Sequence, residues 1–513
     1  MTEDRISSSR LKKAATNASY NFASFIIKTL LSLATRTIFI RVLSSDLLGT
    51  NSLFTNLLSM LSLAEMGISA AVGYSLYAPL AKKDNKKISL IMSFYRKAYI
   101  IIGFIVLFLG IVLSFFLSYL IKDFSSIKSP YVIYYLFLFN TVISYFITYK
   151  EVLATADQKA YIISKKQIII DVLTNAIQIV ILLVFKNYIF YLISQIVIQV
   201  LGRIVINIAI TREYSFVNFK TDGKMPTADI KSIKTNITSM FMHKIGDYCI
   251  NSTDSLIISA FINVSTVGVY SNYLTIISLL TSATSMIFNS LTSTLGNILT
   301  TEKKQKQFEA YRKIDFAGYI IFSYCTLLLI AVLRYFIRLW AGADYVIEKP
   351  IEFLMIANFY LVGMRITINV IKNSAGQYKI DRYTPLIQAV INLIVSVFFV
   401  KRLGLLGVVI GTITSSVLVP MWQRPYLVYK HVLHQKSSIY FKEHARYLLV
   451  LILECLAFYI ISRPITRIEN TLVEMIIAAV AATVIFVIAN VLAFFRNKYF
   501  VYFMKLIQKR IYK

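Results

Sequence analysis

Charged residues are scarce in this chain of 513 residues, at 15% against the roughly 25% of ordinary globular proteins. Hydrophobic residues make up 57% of it, and the mean hydropathy is +0.67. Because a bilayer-spanning helix needs about 20 mostly apolar residues, the chain has room for about fourteen spans and none for a large soluble domain. The composition excludes a cytoplasmic enzyme with a membrane anchor, a secreted protein and a β-barrel, whose strands would alternate polar and apolar residues.

Cysteine is equally scarce, and histidine numbers only four. Cys249, Cys325 and Cys455 lie in apolar stretches without CxxC spacing, so neither a disulfide framework nor a thiolate metal site is expected. Three histidines at 431, 434 and 444 have the spacing of metal ligands, but they lie in a basic loop, and we expect no metal site. We expect no catalytic residue and no cofactor, apart from a coupling ion, H⁺ or Na⁺.

Acidic residues are few, 25 Asp plus Glu against 54 Lys plus Arg, which gives a net charge of +29. In a soluble chain this excess would indicate nucleic acid, but in a membrane protein it is typical of cytoplasmic loops. The basic segments that we place in the cytoplasm are 82–87, 211–234, 302–313, 429–442 and 496–513. This topology puts both termini inside and predicts no nucleic-acid partner. The polar, basic first fifteen residues also predict no cleaved signal peptide.

Apolar runs between charged or Pro/Gly-rich breaks predict an all-α polytopic membrane protein with about fourteen transmembrane helices. The predicted helices are 16–42, 47–78, 89–120, 131–154, 166–186, 189–210, 236–262, 267–298, 312–340, 350–373, 383–400, 404–428, 443–462 and 472–496. We group them into an N-lobe at 1–210 and a C-lobe at 236–428, each of six helices and pseudo-symmetric with the other. A cytoplasmic linker at 211–235 joins the lobes, and 429–513 carries the last two helices with a basic cytoplasmic tail.

An internal repeat supports the two lobes. At an offset of 219 residues, the segment 38–58 lies over 257–277 and pairs Gly49 with Gly268. Both copies follow the pattern of helix, short turn, glycine and helix. Repeats related by an axis along the membrane normal are typical of transporters whose substrate site lies between the halves.

Polar side chains follow one face of the first, second, seventh and eighth predicted helices, at steps of three and four residues. We interpret this face as a lumen that binds sugars. The predicted lumen residues are Asn21, Ser59, Ser62, Asn251, Ser278 and Asn289. Helix–helix packing is the alternative, since small residues let helices approach and hydroxyls hydrogen-bond between them.

Deep charges favour an aqueous cavity, because Lys, Arg or Asp at the bilayer centre costs about 2.5–3.5 kcal/mol. Lys28, Asp247 and Asp254 are too deep to reach the surface easily, and Arg365 lies on the tenth helix. Glu454 indicates either a helix–helix hydrogen bond or a contact with lipid. Other charges lie near membrane boundaries, where we expect them to reach headgroups: Asp171, Arg203, Asp315, Arg334 and Arg338.

Three segments resemble the multidrug/oligosaccharidyl-lipid/polysaccharide exporter superfamily, and specifically its bacterial polysaccharide flippases. The strongest is STDSLIISAFINVSTVGVYSNYLTIISLL at 252–280, similar to the family's seventh helix, turn and eighth helix. The second is IKNSAGQYKIDRYTPLIQAVINLIVSVFFVKRLGLLGVVIGTITS at 371–415, and the third is LSLAEMGISAAVGYSLYAPLAKKD at 61–84. The resemblance implies a two-lobed carrier that moves a polyprenyl-pyrophosphate-linked oligosaccharide across the bacterial cytoplasmic membrane by alternating access, for a capsule or O-antigen polysaccharide.

Depth and helix face predict the binding roles of the charged residues. Lys28, Arg36 and Arg365 are the candidates that bind the pyrophosphate, since two or more cations acting together can offset its lost hydration. Asp247, Asp254 and Glu65 are the candidates for gating or coupling. Asp247 either pairs with Lys28 as a gate or belongs to a site for H⁺ or Na⁺, while the membrane potential alone could also drive an anionic head group outward.

Alternatives remain open. A teichoic-acid or peptidoglycan lipid-precursor flippase fits the same pattern, whereas a cation-coupled drug antiporter would need a more acidic and aromatic lumen. A membrane-embedded polysaccharide polymerase would need an outer domain or a clustered acid/base site, so we expect a protein that is not an enzyme. The expected partners are the lipid-linked substrate, membrane lipids, a polysaccharide polymerase and glycosyltransferases, around a monomeric carrier.

Overall fold

The computed structural model describes residues 25–219, 221, 252–377, 380–465 and 469–511. Three predicted site residues, Asn21, Asp247 and Asn251, lie outside the described residues. The described residues form α-helices joined by short turns. This confirms the predicted all-α polytopic membrane protein.

The helices are numbered in chain order, with the two whose full extents are not described given by number. They are α1 (25–42), α2 (Ser45–Leu61), α3 (Leu63–Lys82), α4 (Asn85–Ser114), α5 (Leu117–Leu120), α6 (Pro130–Thr148), α7 (Glu151–Ala156), α8 (Tyr161–Phe185), α9 (Tyr188–Glu213), α10 (252–261), α11 (Val264–Ser290), α12 (Thr292–Thr301), α13 (Lys304–Trp340), α14 (Lys349–Ser374), α15 (Thr384–Leu403), α16 (Leu405–Leu418), α17 (Pro420–Val428), α18 (Ser438–Ile465), α19 (Thr471–Phe494) and α20 (Lys498–Ile511).

Short polar side chains set where several helices begin. The Asp84 carboxylate accepts a hydrogen bond from the Lys87 amide at 2.9 Å at the start of α4. Asn187 caps α9 through the amides of Ile189 and Phe190, directly after Lys186 has taken the left-handed conformation that ends α8. These caps satisfy amides that have no partner within the first helical turn, so α8 and α9 form a tight helical hairpin.

Eleven helical segments in the described part of the chain are long and apolar enough to cross a membrane. Each coincides with one of the fourteen predicted spans. The first two predicted spans are also helical, as α1 and as α2 with α3, although they are not among these eleven segments. Only the end of the seventh predicted span is described, as α10.

The chain divides into two compact units, Met1–Gly268 and Val269–Lys513. In the first unit α8 packs against α9, and α6 packs against α4 and α9. In the second unit α13 packs against α14, α18 and α19, around a core that includes Leu327, Ala331 and Phe458. The lobe boundaries drawn from the sequence stay a prediction.

The two glycines paired by the repeat contact each other within the first unit. A Cβ on Gly49 would collide with the backbone carbonyl of Val264, and a Cβ on Gly268 would lie 2.5 Å from the Ser45 carbonyl oxygen. Beside them the Ser45 and Ser265 hydroxyls are 2.6 Å apart and share a hydrogen bond. The start of α11 therefore crosses α2 with backbone against backbone, which only glycine permits at these two positions.

Gly49→Ala should lower the thermal unfolding midpoint of the purified protein in detergent. The added methyl group must push the two helices apart, and overpacking of this kind typically costs about 1–3 kcal/mol. The matched control is Gly73→Ala on α3, where a Cβ would lie 3.5 Å from the Val152 side chain, an ordinary contact. Equal midpoints for the two variants would contradict the close crossing.

Glu454 is buried in α18 and joins three helices of the second unit. Its Oε1 accepts a hydrogen bond from Asn490 Nδ2 on α19 at 2.6 Å, and Tyr319 on α13 donates to Asn490 Oδ1 at 3.0 Å. Of the two interpretations from the sequence, the structure shows the helix–helix hydrogen bond. A carboxyl group can thus remain in the interior because an amide side chain spans the gap to the neighbouring helix.

Candidate functional site

An open polar pocket of about 240 Å³ lies in the first unit among α1, α2, α8 and α9. Nearly all of its lining side chains are polar. The described lining residues are Lys28, Ser32, Thr35, Arg36, Phe39, Leu48, Asn51, Asp171, Thr174, Asn175, Gln178, Tyr191, Gln195 and Gln199. We call this feature the polar pocket.

Helix α1 brings both of its predicted cations to the polar pocket. Lys28, Ser32, Thr35 and Arg36 follow each other at steps that keep them on one side of the helix. Lys28 is exposed and Arg36 is half-buried, while Thr35 is buried and donates to Asn175 Oδ1 at 2.7 Å. The pocket thus has a solvent-accessible cation at one position and a more enclosed cation two turns along the same helix.

Amide side chains form the wall of the polar pocket on α8 and α9. Gln178 Nε2 donates to Gln195 Oε1 at 3.0 Å, which joins the two helices across the pocket. Asn175 Nδ2 donates to the backbone carbonyl of Asp171 at 2.7 Å. Each amide carries two donor hydrogens and an acceptor oxygen, so the wall can bind hydroxyl groups without adding charge.

Asp171 is the acidic residue of the polar pocket. It is 9% exposed, and its Oδ1 accepts a hydrogen bond from Gln167 Nε2 at 2.8 Å. The expectation that Asp171 reaches headgroups is therefore wrong, because the side chain is buried inside the helical bundle. With Lys28 and Arg36 opposite one carboxylate, the lining carries one net positive charge when all three groups are ionised.

The sequence analysis missed the amide wall. Its signal is present, since Asp171, Asn175 and Gln178 are spaced at i, i+4 and i+7, and Gln195 and Gln199 at i and i+4. Helices α8 and α9 are otherwise so apolar that hydropathy led us to interpret them only as membrane spans. A search for intramembrane amides at helical spacing would have found the wall.

The serines predicted for the lumen donate their hydroxyl hydrogens within their own helices. Ser59 donates to the Thr55 carbonyl at 2.7 Å and Ser62 to the Leu58 carbonyl at 2.9 Å, while Ser278 donates to the Leu274 carbonyl. Ser278 and Asn289 are exposed in the described structure, whereas Ser59 and Ser62 are half-buried. Back-bonded hydroxyls retain acceptor capacity only, so they can bind a sugar hydroxyl but contribute no further donor.

The candidate coupling carboxylates that are described lie away from the lining of the polar pocket. Glu65 Oε1 accepts a hydrogen bond from the Tyr99 hydroxyl at 2.6 Å, and Asp254 on α10 is 4% exposed. The proposed pair of Lys28 with Asp247 stays a prediction, because Asp247 lies outside the described residues.

Arg365 belongs to α14 in the second unit. It is 8% exposed, and its Nη1 donates to the Ser416 carbonyl at 3.5 Å. About two turns further on, Lys372 Nζ lies 2.8 Å from Asp381 Oδ2, and Arg424 Nε lies 3.1 Å from the same oxygen. Lys372 is thus a structural ion-pair partner of a buried carboxylate.

Other charges interpreted as boundary residues also have protein partners. Arg203 Nη1 donates to the Asn140 carbonyl at 3.4 Å, and Arg334 Nη1 lies 3.3 Å from Glu352 Oε2. Asp315 is 1% exposed and bound by Tyr311 and Thr367. Arg338 is exposed, and its contact with headgroups stays a prediction.

Solved structures share this fold. A lipid II flippase, MurJ, in an inward closed conformation aligns with a TM-score of 0.67 at 15% identity, over 96% of this chain and 99% of that one. A multidrug resistance MATE family transporter of the MOP superfamily aligns in an inward-facing conformation with a TM-score of 0.60 at 14% identity, over 80% of this chain and 98% of that one. An outward-facing conformation of a multidrug resistance MATE family transporter aligns with a TM-score of 0.52 at 14% identity, over 81% of this chain and 95% of that one.

No protein-family model matches the sequence. No curated protein matches it either. The likeness to these proteins is therefore one of fold, and the sequence comparisons add no relative to it. These named neighbours are transporters and a flippase. The chain is a multi-pass membrane protein with the fold of the MATE transporters and of the lipid II flippase MurJ.

Proposed function

We propose that this protein is a flippase that carries a polyprenyl-pyrophosphate-linked oligosaccharide across the bacterial cytoplasmic membrane by alternating access. The observation that carries the proposal is the polar pocket, which brings Lys28 and Arg36 together with several amide side chains and one carboxylate, that of Asp171. Ammonium and guanidinium groups bind phosphate oxygens, while amides bind sugar hydroxyls. A head group that is anionic at one end and rich in hydroxyls beyond it matches this lining.

The pocket's charge distinguishes the proposal from a drug antiporter of the same fold. A lipophilic cation would be repelled by the two basic side chains, which outnumber the single carboxylate among the described lining residues. A second candidate, a flippase of peptidoglycan or teichoic-acid lipid precursors, is favoured by the alignment with the lipid II flippase. Capsule or O-antigen repeat units are our first choice, on the sequence resemblance.

The remaining parts of the proposal follow from the sequence. Both termini lie in the cytoplasm, because the basic segments then face inward. The protein works as a monomer among membrane lipids, and its substrate is made by glycosyltransferases and consumed by a polysaccharide polymerase.

Reconstitution tests the proposed function. Proteoliposomes containing a polyprenyl-diphosphate oligosaccharide should transfer the glycan between leaflets, and a membrane-impermeant glycosidase added outside should then cleave more than half of it. The control lipids are the same oligosaccharide on an uncharged lipid and the polyprenyl diphosphate without sugars. Transport of a lipophilic cation without glycan transfer would identify a drug antiporter, and lengthening of the glycan would identify a polymerase.

A further inference from the structure

A second buried polar cluster lies in the second unit and has no role in the polar pocket. Asp315 on α13 and His444 on α18 face each other, with 3.7 Å between Asp315 Oδ1 and His444 Nε2. Asp315 is 1% exposed, and the His444 side chain is 12% exposed. The pair joins two helices whose apolar parts begin just beyond it in the sequence, at Phe316 and Tyr447.

The hydrogen bond at the other ring nitrogen fixes the tautomer of His444. Its Nδ1 lies 3.1 Å from the Tyr440 backbone carbonyl, and a carbonyl oxygen can only accept. Nδ1 therefore carries a hydrogen. In the neutral ring, Nε2 then carries a lone pair. His444 Nε2 and Asp315 Oδ1 are therefore both hydrogen-bond acceptors unless a further proton is present.

The two carboxylate oxygens of Asp315 have different surroundings. Its Oδ1 accepts hydrogen bonds from the Tyr311 hydroxyl at 3.2 Å and the Thr367 hydroxyl at 2.9 Å. Its Oδ2 has no hydrogen-bond partner among the described residues, and neither has His444 Nε2. A buried carboxylate without a counter-charge is strongly unfavourable, whereas one proton on the pair makes it neutral overall.

In the described part of the chain, no lysine or arginine forms an ion pair with Asp315. Arg312, one turn before Asp315, forms an ion pair with Glu443, so these two charges balance each other. Arg365 lies near Tyr440 and donates to the Ser416 carbonyl. Several phenols also lie near the pair, at Tyr311, Tyr360, Tyr429, Tyr440 and Tyr447. Tyr499 of α20 faces this cluster across Arg312.

We propose that Asp315 and His444 together form a proton-binding site that holds one exchangeable proton between α13 and α18. The proton resides on either side chain and converts the contact into a hydrogen bond or an ion pair. Water that enters between the two helices would stabilise the ionised carboxylate and release the proton. Proton affinity at this site therefore depends on how tightly α13 and α18 pack.

Nitrogen NMR of the full-length protein, selectively labelled with ¹⁵N histidine, tests the site directly. The chain has four histidines, so His444→Gln identifies the signal by its loss. We expect His444 Nδ1 to stay protonated from pH 5 to 9, and Nε2 to gain a proton as the pH falls. Asp315→Asn should move that midpoint down by at least about one pH unit, because the facing carboxylate favours the protonated ring.

Asp344→Asn is the matched control, since Asp344 is an exposed acid of the same unit, and it should leave the midpoint unchanged. A midpoint that Asp315→Asn leaves in place would overturn the proposal, as would an Nδ1 without hydrogen. If Na⁺ at constant pH moves the His444 signal in the wild-type protein but not in Asp315→Asn, the site holds a metal cation and the proposal fails.

A role for this proton in transport rests on the proposed function and is measured separately. An imposed pH gradient should change the rate of glycan transfer by the wild-type protein in proteoliposomes and should not change the rate of Asp315→Asn. Proton binding without any effect of the gradient leaves the site in place and rejects coupling. Absence of glycan transfer by the wild-type protein rejects the proposed function alone.

Discussion

Replacing Lys28 and Arg36 together by glutamine is expected to abolish transfer of a polyprenyl-diphosphate oligosaccharide in proteoliposomes. Both side chains line the polar pocket, and two opposite charges 4 Å apart attract by about 4 kcal/mol at an effective dielectric constant near 20. After desolvation, a hydrogen bond to a charged group is worth about 1.5–3 kcal/mol. Losing two should reduce transfer by at least about a hundredfold, and each single variant by about tenfold or more.

Arg41→Gln is the matched control for this double variant. Arg41 lies on the same helix, is exposed, and is absent from the described lining of the polar pocket. Equal membrane insertion of all variants, measured by quantitative blotting, separates lost binding from lost folding. Full transfer by the double variant would show that the pyrophosphate binds elsewhere, and Arg365→Gln would then be the next variant to measure.

Asp381→Ala should destabilise the second unit by about 3–5 kcal/mol, the usual cost of removing one partner from a buried ion pair. Its carboxylate lies within 3.1 Å of both Lys372 Nζ and Arg424 Nε, and its side chain is inaccessible to solvent. Without it, two positive charges face each other in the interior. The measurement is the thermal unfolding midpoint in detergent, together with the yield of folded protein.

The exposed Asp344→Ala serves as the control and should leave the midpoint unchanged. A double-mutant cycle with Lys372→Ala adds a second measurement, because removing both partners should cost less than the sum of the single effects. Additive effects would show that Lys372 and Asp381 are not coupled, contrary to their 2.8 Å separation.

Periodicity and hydropathy were sufficient to predict the helices because a span is a local property of about 20 residues. The polar first two helices were recovered as well, since their serines and asparagines repeat at helical spacing. Gly49 and Gly268, which the repeat aligns in sequence, also touch in space, a contact that the sequence analysis did not predict.

Charge partners were not predictable in the same way. The cost of a buried charge is a property of the residue, but its partner lies on another helix, often tens of residues away. Asp171, Asp315 and Arg334 were therefore assigned to headgroups on the basis of their position within the chain, while the structure gives each of them a protein neighbour. The amide wall of the polar pocket was missed for a related reason. Its glutamines are uncharged, so a search for charged residues in apolar helices does not find them.

The glycine crossing of α2 and α11 has an evolutionary consequence. Contacts between side chains usually leave a record of paired substitutions, because a larger residue on one side can be accommodated by a smaller one on the other. Here each position already has the smallest residue, and the obstacle at each is backbone, which does not change with sequence. Neither glycine can compensate for a change in the other, so both should be retained independently among relatives. Covariation between these two positions should therefore be absent although they are in direct contact.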